Sequence, residues 1–430
     1  MTPDRAADDR VLRLLEEGRR LARSSDRSAT GIYERVLIED DACVEAHVFL
    51  ARAALSTGDA NAAVAHMRQA CASEPTNAQL WKSLAIAAVA IGADDVAVDA
   101  LERAIDIAPE MSLAHLQLGK LRERQGDRYR ATRAYFRAIL QAQLAEQWLD
   151  ADSIPVPVRD DVLHAMAFVR EHRVAVLAGL LDPMRERFGR AALQRIERGL
   201  SGYLGIEPLA MHDPLQRPKF FHIPDLSTGP FLRREDLPWI ERLEAAFGAI
   251  REEAASAIAD TSALTSFLDS DDGIDEYLAG DGVPPHWDAV FFYRHGKPFA
   301  ESTTRYPATS RVLEALPLVK IEGHAPEICF SVLSPGSHIL PHHGVSNLRV
   351  VVHLPLIVPR DCVLRVAGQD HVWKEGQCVV FDDTYLHEAW NRSDRTRVVL
   401  LMDAWHPGIT EAERIALTGL IEGIGDFHRG

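Results

Sequence analysis

Cysteine is scarce in this sequence. There are five in 430 residues (Cys43, Cys71, Cys329, Cys362 and Cys378), and none stands in a CxxC spacing. An odd, scattered set supplies neither a disulfide framework nor a zinc knuckle. Each reads as a small apolar core residue in a reducing, cytoplasmic setting. Long apolar runs are missing too: nothing approaches the ~20 residues that cross a bilayer. The N-terminal MTPDRAADDRVLRLLEEGRR is charged and lacks the apolar centre of a secretory leader. Positive charge is in deficit, with 47 Lys and Arg against 63 Asp and Glu and a formal net charge of −16. Such a chain repels phosphate backbones, which argues against nucleic acid as a partner. What is there is length enough for two or three domains, each with its own core.

A repeat occupies the N-terminal third. Pro75 and Pro109 stand 34 positions apart, the period of the tetratricopeptide repeat. In that frame Gly58, Gly92 and Gly126 align at a turn between two helices. Ala63, Ala97 and Ala131 align, as do Ala70, Ala104 and Ala138, with Met67, Leu101 and Tyr135 at the large apolar position between them. Small residues let paired helices approach, the large one fills the groove, and proline ends the second helix. Three repeats over about 44–145 meet the minimum for a stable stack. Residues before about 30 read as a leading helix. A stack of this kind either presents its concave face to a peptide or protein, or braces a neighbouring domain or a dimer.

The pattern predicts an all-α repeat domain over 1–148 and a helical connector over 149–210. "LQRPKFFHIPDLSTGPF" reads as extended, and "DLPWIERLEAAFGAIREEAASAI" as a helix with Asp236 as N-cap and Pro238 in its first turn. From Trp287 onward the texture changes to short β-branched and aromatic runs: "AVFFYR", "EICFSVLS", "LRVVVHLPLIV", "CVLRVAG", "QCVVFDD" and "RVVLLMDAW". With few helices between them, the runs predict an antiparallel jelly roll over 211–430.

His342 falls in a turn after "SPGSHILP", His387 opens a strand after "FDDTYL", and Arg397 lies ten residues further on. Two histidines from different strands with an arginine beyond them fit a non-haem Fe(II) site. The arginine would pair bidentately with the distal carboxylate of 2-oxoglutarate. His343 points the other way in extended backbone and is left out of the metal shell. His338, His371 and His406 read as structural or solvated, and Asp382 and Asp383 as turn formers.

Residues 215–407 resemble the aspartyl/asparaginyl β-hydroxylase family through "QRPKFF", "SVLSPGSHILPHHGVSNLRVVVHLPL", "WKEGQCVVFDDTYLHEAWN" and "RVVLLMDAWHP". The resemblance implies a double-stranded β-helix, cupin-like and flanked by helices, with Fe(II), 2-oxoglutarate and O₂ as its chemistry. Many members also carry upstream tetratricopeptide repeats. It makes His342 and His387 the iron ligands and puts Gly344 where related oxygenases keep a carboxylate, a position water is thought to fill. It assigns Ser331 and Arg397 to the distal carboxylate of 2-oxoglutarate and His353 to its other end. Arg349 keeps a neighbour's place, while an arginine usual two residues before His353 is Val351. The loop "GIDEYLAGDGVPPHW" carries no arginine for a substrate carboxylate. The implied activity is hydroxylation of an Asp- or Asn-type side chain in a peptide or protein recruited by the repeats. The alternatives are a lipid or small-molecule hydroxylase, a halogenase using room at Gly344 for chloride, and a non-catalytic repeat scaffold with a degenerate jelly roll.

Overall fold

Alanines and glycines at fixed intervals set the helix pairing of the first half of the chain. In the structure, a computed structural model, residues 3–24, 28–208, 211–226, 229–268, 274–280 and 285–429 are described. The chain divides into two compact units, Met1–Val176 with Phe427–Gly430, and Leu177–Asp426. No helix among the described residues is long and apolar enough to cross a membrane.

The first unit is a run of helix pairs. α1 (Pro3–Arg23) and α2 (Ala29–Glu39) precede the three repeats, so two helices stand ahead of the stack. The repeats are α3 (Val44–Ser56) with α4 (Ala60–Ser73), α5 (Ala78–Ala90) with α6 (Asp94–Ile107), and α7 (Ser112–Arg124) with α8 (Arg128–Leu144); α9 (Arg159–Gly179) follows. Gly58, Gly92 and Gly126 take φ of +82°, +71° and +76° at the turns, a conformation that costs glycine nothing. Asp59 and Asp127 cap the helices that follow by accepting from Ala62 N and Arg130 N. The aligned alanines are all fully buried, and so are Met67, Leu101 and Tyr135. Gly119 lies against Tyr135 so closely that a Cβ there would overlap its ring.

In the second unit α10 (Asp182–Phe188) and α11 (Arg190–Tyr203) lead into an extended stretch that bridges Gln216 to Tyr385, Phe221 to Ser346 and Phe231 to Phe381. The single helix expected next is two, α12 (Ile240–Ala245) and α13 (Phe247–Ala259). Asp236 does not cap it. It ends a 3₁₀ turn and its carboxylate takes Arg233 instead, while Trp239 occupies the N-cap position. The remaining helices are α14 (Ile274–Tyr277), α15 (Ala300–Arg305), α16 (Pro307–Leu313) and α17 (Glu411–Arg429).

Among the described residues there are twelve strands: β1 (Thr265–Ser266), β2 (Leu278–Gly280), β3 (Trp287–Arg294), β4 (Lys297–Pro298), β5 (Ile328–Leu333), β6 (Ser337–His342), β7 (Arg349–Ile357), β8 (Cys362–Val366), β9 (Gln369–His371), β10 (Val379–Phe381), β11 (His387–Asn391) and β12 (Arg397–Trp405). β3, β5, β7, β8, β10 and β12 are the six runs read from the sequence and β11 the strand opened by His387, while β1, β2, β4, β6 and β9 were not expected. The twelve form two antiparallel sheets. One is ordered β1-β3-β5-β12-β7-β10 with β4 on β3, the other β2-β6-β11-β8-β9. This is the double-stranded β-helix. Strands β5, β12, β7 and β10 of the larger sheet are buried on both sides, and the period-2 alternation divides their residues. Val350, Val352, Leu354 and Leu356 of β7, with Val398, Leu400 and Met402 of β12, pack against Ile240, Leu243, Ile250 and Ala254 of the helices. Arg349, Val351 and His353, with Arg397, Leu401 and Asp403, take the opposite face and line a cavity closed by Ile339, Leu364 and Ala389 of the smaller sheet.

Candidate active site

The cavity between the sheets has a volume of about 250 Å³, and all six residues singled out in the sequence line it: Ser331, His342, Arg349, His353, His387 and Arg397. His342 closes strand β6 and does not lie in a turn. It pairs in register with His387, but two residues further along β11 Ala389 pairs with Ile339. Three steps on β6 therefore match two on β11. That β-bulge turns Ile339 and His342 to the same face, although their separation is odd.

The two imidazoles stand with ring centroids 4.1 Å apart. Each Nδ1 faces the carbonyl two residues before it in the chain, His342 to Leu340 O at 2.8 Å and His387 to Tyr385 O at 3.0 Å. A carbonyl only accepts, so each Nδ1 carries the hydrogen and each Nε2 carries a lone pair. Among the described residues neither Nε2 has a hydrogen-bond partner. Burial, chiefly, lowers the pKa of both rings and leaves them neutral, the form that ligates a metal.

Beside them, a Cβ built on Gly344 would overlap the carboxylate of Asp383, which fills the space a side chain at 344 would need. The Gly344 N–H donates to Asp383 O at 2.6 Å. Asp383 Oδ2 meets Arg349 at 2.9 Å, and Asp403 takes the other side of that guanidinium at 2.5 Å. Asp383 Oδ1 is buried with no hydrogen-bond partner. The sequence suggested only a turn former here. "DD" ahead of a strand carries a turn signal, and the one available hint was its place four residues before His387. Room for a chloride beside Gly344 is likewise taken by this carboxylate.

At the far end lies Arg397, 1% exposed, with no carboxylate against it among the described residues. Its guanidinium carbon is 5.2 Å from the Trp373 ring centroid, its Nη1 is a long 3.5 Å from Ser331 Oγ, and its Nε is orphaned. Burial without an acid pulls its pKa down to about 10. Ser331 Oγ accepts from Trp287 Nε1 at 3.0 Å, so its own hydrogen is left to donate. Both ring nitrogens of His353 are buried and unbonded. A buried, unpaired cation flanked by unused donors is costly to a fold and is shaped to receive an anion.

His343 also lines the cavity and donates from Nδ1 to Thr384 O at 2.8 Å. Among the described residues no group of three or more His, Cys, Asp and Glu side chains is arranged to hold a metal ion. The donor set available to one is therefore the His342–His387 pair, with the spare lone pair of Asp383 beside it. A second residue unforeseen in the sequence is Lys219. Its N–H donates to Gly344 O at 3.1 Å, and its exposed ammonium sits 5.5 Å from the Tyr277 ring, which in turn edges His342 at 5.8 Å. In the arginine-free loop 273–287, Gly273 and 281–284 lie outside the described residues.

The family model described as Aspartyl/Asparaginyl beta-hydroxylase matches residues 244–407, from the end of α12 through β12. Aspartate beta-hydroxylase domain-containing protein 2 of Rattus norvegicus is 31% identical over 244 residues, covering 55% of this chain and 68% of that protein. The chain belongs to the aspartyl/asparaginyl β-hydroxylase family. Aspartyl/asparaginyl beta-hydroxylase of Homo sapiens is 30% identical over 183 residues, 42% of this chain and 23% of that one. Hydroxylase function comes with membership of this family. Among solved structures, one titled "Crystal structure of MamA" is 24% identical with a TM-score of 0.29, covering 36% of this chain and 94% of that one.

Proposed function

We propose that this β-hydroxylase family member is an Fe(II)- and 2-oxoglutarate-dependent dioxygenase. Its substrate in this reading is an Asp- or Asn-type side chain of a peptide or protein, hydroxylated at an unactivated C–H bond. One observation carries the reading: two neutral imidazoles in register, each with Nδ1 satisfied and Nε2 unused, share a cavity with an acid-free buried guanidinium. The donor set suits a ferrous ion at one end and a dicarboxylic acid at the other.

His342 and His387 would hold the metal through Nε2, with the carbonyls of Leu340 and Tyr385 fixing the ring orientations. Arg397 and the Ser331 hydroxyl would take the distal carboxylate of 2-oxoglutarate, and His353 would stand near its other end. Fe(II), 2-oxoglutarate and O₂ together supply an oxidant able to hydroxylate the C–H bond, the cosubstrate leaving as succinate and CO₂. Ile339, Val351, Leu364 and Leu401 keep the cavity apolar and exclude water from the reaction. Asp383 Oδ1 remains available to accept a hydrogen bond beside Gly344. Lys219 at the rim offers an ammonium to the carboxylate or amide of the substrate side chain.

The test is succinate formation by the Fe(II)-loaded full chain. His387→Ala is expected to abolish it. Decarboxylation of 2-oxoglutarate at the parent rate by that variant would rule out the ligand assignment.

A further inference from the structure

The helical repeats contain a second cavity, of about 270 Å³, between the second helices of successive repeats, α6 and α8, with α7 at its back. Arg130, Arg133 and Arg137 of α8 line it. They are spaced i, i+3, i+7 and so share one helix face. Like charges at this spacing repel when nothing lies between them. Arg122, from α7, is already neutralised by Glu102 at 2.5 Å. The α8 arginines are not. Arg130 has only a loose contact with Asp127 at 3.6 Å, and Arg133 has no ion-pair partner among the described residues. Arg137 is 7% exposed; it donates from Nη1 to the His428 carbonyl, but its Nε is buried without a partner. His115, also in the lining, is neutral and offers no compensation. Asp106 of α6 adds one carboxylate to the lining, but three α8 arginines outnumber it, so in a chain of net charge −16 this groove keeps a local excess of positive charge.

We propose that the α6–α8 groove docks an acidic peptide segment, its carboxylates taken by Arg130, Arg133 and Arg137. Spacing selects a peptide over a single phosphate. Seven residues of helix place Arg130 about 10 Å along the axis from Arg137, too far for one phosphate to meet both. Carboxylates on alternate residues of an extended segment lie roughly 7 Å apart and can reach both ends. Arginine forks suit such carboxylates bidentately.

The experiment is fluorescence anisotropy of labelled hexaglutamate titrated with the full chain. Saturable binding is expected, weakening as salt rises through ~0.1 M because the contacts are solvent-accessible. The Arg130→Gln/Arg133→Gln double variant should bind at least about tenfold more weakly, with unchanged circular dichroism since neither side chain is in the core. Arg133→Lys, which keeps the charge but loses the bidentate fork, should bind more weakly than the parent and more tightly than the double variant. The proposal is overturned by absence of saturation, by parent-like affinity in the double variant, or by hexaglutamine binding as well as hexaglutamate. It is also overturned if inorganic phosphate competes as well, mole for mole, as unlabelled hexaglutamate.

Discussion

At position 344 a missing side chain is made good from another segment of the chain. Asp383 reaches into the room that glycine leaves, held there by Arg349 on one oxygen and by its own carbonyl on the Gly344 amide. Adding a carboxylate at 344 therefore does not complete a ligand triad; it sets two carboxylates in one space. Gly344→Asp is expected to cost about 2–4 kcal/mol of stability and to cut succinate formation at least about tenfold, read by thermal denaturation and by turnover. Arg397 separates function from folding more sharply. A buried guanidinium with no acid beside it burdens the apo fold, so Arg397→Met, similar in volume, should leave stability unchanged or raise it by about 1–2 kcal/mol. The same change should weaken anaerobic 2-oxoglutarate binding roughly 100-fold or more. Calorimetry on parent and variant checks both; lost stability with unaltered binding would make the residue structural. Lys219→Ala is expected to raise KM for a substrate peptide with kcat little changed, the mark of a rim contact made equally in ground and transition states.

Among the elements, those whose burial follows one period were legible in the sequence. The 34-residue spacing located the turns and the alanine contacts of the three repeats because each repeat meets the same steric demand. β7 and β12 were legible as strands, but not which face was which. Their apolar runs are continuous, and only the polar residues interrupting them, Arg349, His353, Arg397 and Asp403, mark the cavity side. The bulge in β6 was not legible. It depends on pairing with a strand 45 residues away, and an extra residue in "ILPH" looks like a turn until that partner is in place. Asp383 was missed for the same reason, since its meaning lies in a contact with Gly344 across the fold. Where the repeat period does speak, it makes a quantitative claim. Gly119→Ala would push a methyl into the Tyr135 ring and should destabilise the first unit by about 2–3 kcal/mol. The same change at Gly31, where nothing lies within 4 Å, should be neutral or slightly stabilising by helix propensity. Denaturant midpoints of the two variants give the comparison.

For the whole molecule, charge sets the response to pH. Acid would relieve the self-repulsion of a chain at −16, yet buried histidines act the other way. His115 in the repeats and His222 in the second unit are both pushed down to about 4, chiefly by burial. Neither takes a proton in the folded state until well below the ordinary imidazole range, whereas the unfolded chain takes one near pH 6.5. Between those values the unfolded state binds more protons at these two sites, so their contribution to stability is full above pH ~6.5 and is lost as pH falls toward 4, against the opposite contribution of the buried Asp382 and Asp403, both raised to about 6. At 1.36 kcal/mol per pKa unit, each histidine contributes up to about 3 kcal/mol of that loss. His115 donates from Nε2 to Pro109 O at 3.0 Å. His115→Gln keeps a donor there but has nothing to titrate. Urea denaturation at pH 7 and pH 4.5 should show the parent losing about 2–3 kcal/mol more than the variant on acidification. An equal loss in both proteins would place the acid sensitivity of the repeats in groups other than this imidazole.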